Sequence, residues 1–203
     1  MHSNKGARAA ARADAGTLRI IGGDWRSRRL RVPDRPGLRP TPDRVRETLF
    51  NWLGQRLDGL ACLDLFAGSG ALGFEAASRG AARVTMVESD RAALAELERN
   101  RAALGAAQVA IVGGDARTFL AGGRAEAYDV VFLDPPFRQN ALPAVLGALP
   151  ARLKAGARVY VESDAPLEAP PPWVELRRGR AGQVSFQLLR WDGHDQGGIS
   201  GNV

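Results

Sequence analysis

The sequence is poor in the side chains that many enzymes rely on: among 203 residues there are one cysteine, two histidines and two tyrosines. A lone Cys62 cannot close an internal disulfide, which points to a reducing compartment. Its place in an apolar run reads as a small buried hydrophobe. His2 and His194 lie in the terminal stretches, so a histidine-based triad, a histidine general base and a Cys/His zinc site are excluded, and no metal is expected. No apolar run approaches the ~18 residues that a membrane helix needs. The Ala/Arg-rich residues 1–17 lack the apolar stretch of a secretory signal and read as a solvated basic tail. The Gly-rich residues 193–203 read as a second, flexible tail.

What is abundant is arginine, and it is concentrated. Residues 1–56 carry 13 Lys/Arg against 5 Asp/Glu, whereas the rest of the chain carries 15 against 17, so the whole net charge of +6 belongs to the N-terminal quarter. The dense stretch runs Arg26, Arg28, Arg29, Arg31, Arg35, Arg39, Arg44 and Arg46, with Trp25 beside it. Arginine binds phosphate bidentately and stacks on bases. With few carboxylates nearby to pair these side chains, residues 18–56 read as a nucleic-acid-binding segment on a near-neutral domain, residues 57–192. Arg26, Arg28, Arg29, Arg31 and Arg39 are the candidate RNA contacts. Pro33, Pro36, Pro40 and Pro42 break the segment before a helix near Asp43 that carries Val45, Leu49, Trp52 and Leu53 on one face.

Beyond residue 57, short apolar runs alternate with amphipathic stretches. Cys62–Phe66, Val84–Glu88, Val109–Val112, Tyr128–Leu133 and Val159–Glu162 have the near-continuous apolar character of parallel strands buried on both faces. Leu72–Arg79, Arg91–Leu104, Ala116–Leu120 and Ala141–Leu153 read as the helices between them. The alternation predicts an α/β fold, a doubly wound and mostly parallel sheet. Trp173–Arg178 and Gln183–Trp191, with no helix between, predict a C-terminal antiparallel hairpin.

The first strand runs into Asp64-Leu65-Phe66-Ala67-Gly68-Ser69-Gly70-Ala71-Leu72-Gly73, a G-x-G-x-x-G pattern set between strand and helix. Glycines there permit a tight turn and close approach of a ligand to the backbone. The second strand ends in Glu88, placed to accept from ribose hydroxyls; the third leads to Asp115-Ala116, where Asp115 can accept from an adenine amino group. Phe66, Gly68, Ser69, Gly70, Gly73, Glu88, Asp115 and Ala116 are thus a candidate nucleoside site. The pattern alone fits NAD or S-adenosyl-L-methionine. Two features favour the second. Asp64 suits a cationic methionyl group better than a pyrophosphate. The cleft also lacks a His, Tyr or Lys proton donor, which nicotinamide chemistry on alcohols needs.

The fourth strand ends in Asp134-Pro135-Pro136-Phe137. In open α/β sheets chemistry sits beyond the carboxyl ends of the strands. An exocyclic amino group, its lone pair delocalised into a base, becomes nucleophilic when acceptors take hydrogen bonds from its two N–H groups. The Asp134 side chain and the Pro135 carbonyl are the nominated acceptors. Pro135 and Pro136 fix the loop, and Phe137 stacks on an extruded base.

With these motifs in hand, residues 18–191 resemble the bacterial small-subunit rRNA guanine-N2 methyltransferases of the RsmD family. The resemblance rests on Arg19-Ile20-Ile21-Gly22-Gly23, on Leu38-Arg39-Pro40-Thr41, on the block from Asp43 to Asn51, on Leu63 through Gly73 and on Asp134 to Phe137. Val159-Tyr160-Val161-Glu162-Ser163 and Ala181-Gly182-Gln183-Val184 complete it. It implies methyl transfer from S-adenosyl-L-methionine to N2 of one guanine of 16S rRNA, position 966, in an assembling 30S particle. It also implies that Thr41 and Arg44 pack over the methionine end of the cofactor. A cytoplasmic enzyme follows, and nothing demands more than a monomer. The residues leave open an adenine-N6 methyltransferase acting on DNA or RNA, a catalytically silent RNA-binding assembly factor and a nicotinamide oxidoreductase.

Overall fold

A computed structural model describes residues 16–32, 41–122, 126–136 and 141–193. The two terminal tails, apart from their innermost residues, therefore lie outside the described residues, as do Arg35, Arg39 and Phe137. Two short strands come first, β1 (Thr17–Arg19) and β2 (Arg29–Arg31), which pair antiparallel. Helix α1 (Asp43–Leu53) follows, then an alternating series. It runs β3 (Ala61–Asp64), α2 (Ala71–Ser78), β4 (Arg83–Glu88), α3 (Arg91–Leu104), β5 (Val109–Gly113), α4 (Ala116–Ala121), β6 (Tyr128–Leu133), α5 (Leu142–Ala148) and β7 (Leu153–Ser163). The chain closes with β8 (Trp173–Ala181) and β9 (Val184–Trp191).

Seven strands form one sheet in the order β5-β4-β3-β6-β7-β9-β8. The first five are parallel, and β9 enters antiparallel between β7 and β8. The expected doubly wound sheet and terminal hairpin are both present. Strand side chains alternate between two cores. Along β6, Val130 and Phe132 join the layer of α1, α2 and α3, while Val131 and Leu133 join that of α4 and α5. Cys62 is fully buried in the first layer.

The local sequence explains most boundaries. Asp90 caps α3 by accepting from the N–H groups of Ala92 and Ala93, and Gly105 ends it in the left-handed conformation at φ 64°. Where a single helix from Ala141 to Leu153 is expected, α5 stops at Ala148 and a 3-10 turn takes Leu149–Arg152. Pro150 is the reason, since it has no N–H to continue the helix and its ring crowds the preceding turn. Strand β7 begins at Leu153, six residues before the apolar run at Val159, with a register shift opposite Tyr128 and Val130.

The N-terminal segment is fastened to the domain by buried charge. The Glu75 carboxylate, on α2, accepts from the backbone N–H groups of Ile21 and Gly22 at 2.8 Å each. It also accepts from Arg79 Nε at 2.8 Å and Arg46 Nη1 at 3.3 Å. Arg46 is fully buried and reaches on to the Arg19 carbonyl and the Asp43 carboxylate. This corrects its place in the basic stretch: Arg46 is paired by Glu75, a carboxylate 29 positions away, and does not face solvent. Asn100 holds β2 by bonding both the N–H and the carbonyl of Arg31. No helix among the described residues is long and apolar enough to cross a membrane.

Candidate active site

The strand order reverses between β3 and β6, which grow outward in opposite directions from the centre of the sheet. At such a switch point the loops leaving the carboxyl ends diverge and open a crevice. The loop after β3 is tightly wound. Gly70 has φ 78°, and a Cβ there would lie 2.6 Å from the Phe74 ring. A Cβ on Gly73 would lie 2.4 Å from Met86 Cε, so this glycine lets α2 lie close on β4. Asp64 is buried and its Oδ2 accepts from the Gly73 N–H at 2.9 Å. Burial, with Asp134 and Glu88 nearby, pushes its carboxyl up to about 7.

Glu88, at the end of β4, is held from two sides: Oε2 accepts from the Gly68 N–H and Oε1 from the Asp90 N–H, each at 2.7 Å. Its orientation is set by backbone, leaving lone pairs on both oxygens for a further donor. Asp115 caps α4, and both its bonds, from Arg117 and Thr118, fall on Oδ1. Phe66, Asp115, Ala116, Arg117, Ala141 and Val145 line a cavity of about 380 Å³. Ser69 is buried within the glycine loop. The candidate nucleoside residues are thus brought to one edge, on three successive strand ends. This donor and acceptor set fits S-adenosyl-L-methionine: acidic acceptors for ribose and adenine, an apolar wall and a glycine-lined turn.

Asp134 and Pro135 follow β6 into the same crevice. Asp134 is half-buried, Pro135 buried and Pro136 exposed. The register of β6 on β7 pairs Leu133 with Val161, so Asp134 and Glu162 emerge next to each other. Glu162 is buried and its Oε1 accepts from Tyr160 Oη at 2.8 Å. The Thr41 side chain is near enough to both carboxyl groups to moderate their pKa shifts. Burial raises Asp134 to about 6, and burial plus the Asp134 charge raises Glu162 to about 8. Glu162 and Tyr160 were assigned no role on the sequence. The available signal was an acidic residue closing each of two apolar runs, F-L-D and V-Y-V-E.

Thr41, which the resemblance sets over the methionine end of the cofactor, is buried near Asp134 and Glu162. Arg44, on the first turn of α1, is exposed. The candidate RNA contacts are not brought together. Arg29 lines, with Thr17, Arg19, Thr41, Pro42 and Asp43, a cavity of about 360 Å³. Arg31 is exposed at the other end of β2. The turn carrying Arg26 and Arg28 lies elsewhere. Its Asp24 and Trp25 N–H groups bond Ser78, at the end of α2, and Arg28 bonds the Ala103 carbonyl near the end of α3. Both helices start at the carboxyl edge of the sheet, so Arg26 and Arg28 are near the opposite edge.

Strand order and acidic strand ends define the class: a doubly wound α/β domain of the class I methyltransferase type. A family model described as Conserved hypothetical protein 95 matches residues 18–190, and the chain belongs to that family, the RsmD family. It is similar to ribosomal RNA small subunit methyltransferase D of Escherichia coli (strain K12), 48% identical over 181 residues, covering 87% of this chain and 91% of that one. The protein of the same name from Haemophilus influenzae is 43% identical over 182 residues, 86% of this chain and 94% of that one. The solved structure of a putative methyltransferase from Escherichia coli superposes with a TM-score of 0.80 at 44% identity, covering 87% of this chain and 99% of that one.

Proposed function

We propose that this protein transfers a methyl group from S-adenosyl-L-methionine to the exocyclic N2 of a guanine in 16S rRNA, within the small ribosomal subunit or its assembly intermediate. The carrying observation is Asp134-Pro135 set at the switch point beside a nucleoside-shaped edge, in a chain so close to small subunit methyltransferase D. The bound cofactor supplies an electrophilic methyl on a sulfonium sulfur. Glu88 takes the ribose hydroxyls, Asp115 and Ala116 the adenine, and the turn Phe66 to Gly73 the remainder, with Asp64 ordering that turn through Gly73.

The chain's own part in the chemistry is positioning and acceptance. Asp134 and the Pro135 carbonyl accept from the two N–H groups of the target amine. That keeps its nitrogen lone pair aimed at the methyl carbon and supports the positive charge that grows on nitrogen. Pro136 stiffens the loop, and Phe137 is assigned to stacking on the presented base. Residues 18–56 form the RNA-binding segment, with Arg29 on the cavity that Thr41 also lines. A monomer acting in the cytoplasm completes the reading.

The test is to incubate the protein with tritiated S-adenosyl-L-methionine and 30S particles from a strain lacking the enzyme, then digest the RNA. Label in N2-methylguanosine is the expected result. Label in N6-methyladenosine moves the target to adenine, since the same two acceptors serve that amine. Absence of label on these particles, on naked RNA and on DNA overturns the enzymatic reading.

A further inference from the structure

Guanine and adenine differ along the edge that carries the reacting amine. Beside N2 of guanine lies N1–H, a donor; beside N6 of adenine lies N1, a bare acceptor. Asp134 and the Pro135 carbonyl take the two protons of either amine, so they cannot tell the bases apart. A group one step along the edge has to do so, since an extruded base is read by hydrogen bonds to that edge.

Glu162 stands one step along. The β6–β7 register pairs Phe132 with Tyr160 and Leu133 with Val161, which sets Asp134 and Glu162 level on neighbouring parallel strands. Residues level in this way point to one face of the sheet. Glu162 is 5% exposed, and with Pro135, Pro136, Ala141, Leu142 and Ser163 it lines a cavity of about 180 Å³. The acceptor loop and Glu162 therefore share one wall. Ala141 also lines the cavity at Phe66 and Asp115, so the two compartments adjoin. Pro135, Pro136, Ala141 and Leu142 give the smaller one an apolar side, suited to the face of a base.

The two carboxyls have acceptor capacity to spare. Tyr160 Oη bonds Oε1 of Glu162 at 2.8 Å. Thr41, near both, has one proton to give and can serve only one of them at a time. Among the described residues no guanidinium or ammonium is set against Glu162. A ligand that brings two N–H groups side by side makes up the difference. Guanine has N1–H next to its N2 amine, whereas adenine has the amine alone.

We propose that Glu162 selects guanine, its carboxylate accepting from N1–H while Asp134 accepts from the N2 amine beside it. An adenine presented in the same way sets the N1 lone pair against a carboxylate. Two N–H donors arriving together favour the charged form of carboxyls that burial has raised. This role rests on the methyl-transfer reading above and supplies the residue that chooses between the two bases.

The test replaces the nucleotide that wild type labels by 2,6-diaminopurine, in 16S rRNA reassembled into 30S particles. This base keeps the N2 amine but has a bare N1 in place of N1–H. Single-turnover methylation is compared on the two particles at pH 8.5, with wild type and Glu162→Gln. Wild type is expected to prefer guanine by about 100-fold, since a site built to bond an N–H rejects a base without it. Glu162→Gln can turn its amide N–H toward a bare N1. It is expected to lose about 10-fold on guanine and to bring the preference within about 5-fold. Cofactor affinity by calorimetry stays within about two-fold of wild type. A merely structural role would slow both particles alike and leave the ratio unchanged. That result overturns the proposal, as does a wild type that takes both bases equally or that labels adenine in unaltered particles. If Glu162→Gln does not fold, judged by lost cofactor binding, the wild-type ratio decides alone. Wild-type protein that labels no particle fails the methyl-transfer reading itself, a result separate from active transfer without base preference.

Discussion

Two places in this molecule bury carboxylates, and they are built in opposite ways. Glu75 is wrapped by four donors: two backbone N–H groups and the guanidinium groups of Arg46 and Arg79. Among the described residues no guanidinium or ammonium is set against Asp134 or Glu162: Glu162 accepts from the Tyr160 hydroxyl, and Thr41 lies near both. A buried charge with its partners supplied is a fastener, which joins the N-terminal segment and α1 to the sheet. A buried pair without a counter-ion costs stability. Such a pair is retained where a proton must be held or moved.

The sharpest way to break this contrast is to remove Glu75. Glu75→Ala leaves Arg46 and Arg79 buried without their carboxylate, and is expected to cost about 3–5 kcal/mol of stability. Thermal unfolding checks it, with a midpoint lowered by about 10 °C for a chain of this size. A cost below about 1 kcal/mol would deny the fastening role. Asp134→Asn should behave in the reverse manner. Methyl transfer falls about 10²-fold to 10⁴-fold, whereas the unfolding midpoint is unchanged or rises, because one of two facing acidic groups is gone. Single-turnover rates and a melting curve on one preparation measure both.

A gentler probe is pH. Asp64, Asp134 and Glu162 have folded values raised to about 7, 6 and 8, above the ~4 of an unfolded carboxyl. The folded chain therefore binds more protons than the unfolded chain between those limits. Their contribution to stability is fully present below pH ~4 and is lost as pH rises through the folded values. Urea midpoints from pH 5 to 8.5 should show a loss of about 2 kcal/mol or more, and Glu162→Gln should flatten the upper part. A flat wild-type profile would count against uncompensated burial. The smallest effect concerns RNA. Arg29→Ala should weaken binding a few-fold and reduce the salt slope by about 1, with Arg26→Ala changing less. Filter binding across salt concentrations separates the two, and equal losses would mean that RNA reaches both edges.

The parallel strands and their order of appearance were legible because buried strands leave apolar runs, and D-P-P-F with the glycine turn marked two loops of the crevice. What escaped was set by contacts between distant residues. β1 and β2 are three residues each, and their alternation around Leu18 and Leu30 is too short to stand out among arginines. Arg46 read as surface charge because its partner, Glu75, lies in what looks like an ordinary helix. Glu162 needed the β6–β7 register before its neighbour could be known. The N-terminal arginines looked like one patch in a line of sequence, but the turn at 22–28 sends Arg26 and Arg28 away from Arg29.

Cys62 lies in the middle of β3, between β4 and β6, with no exposed surface. Burial pushes its thiol up to about 12. Alkylating reagents attack the thiolate and need access to it, so this side chain stays silent until the central strand parts from both neighbours. Since it is the chain's sole cysteine, the protein carries a built-in clock. The rate at which a reagent labels the native protein counts openings of the middle of the sheet, with no engineered probe.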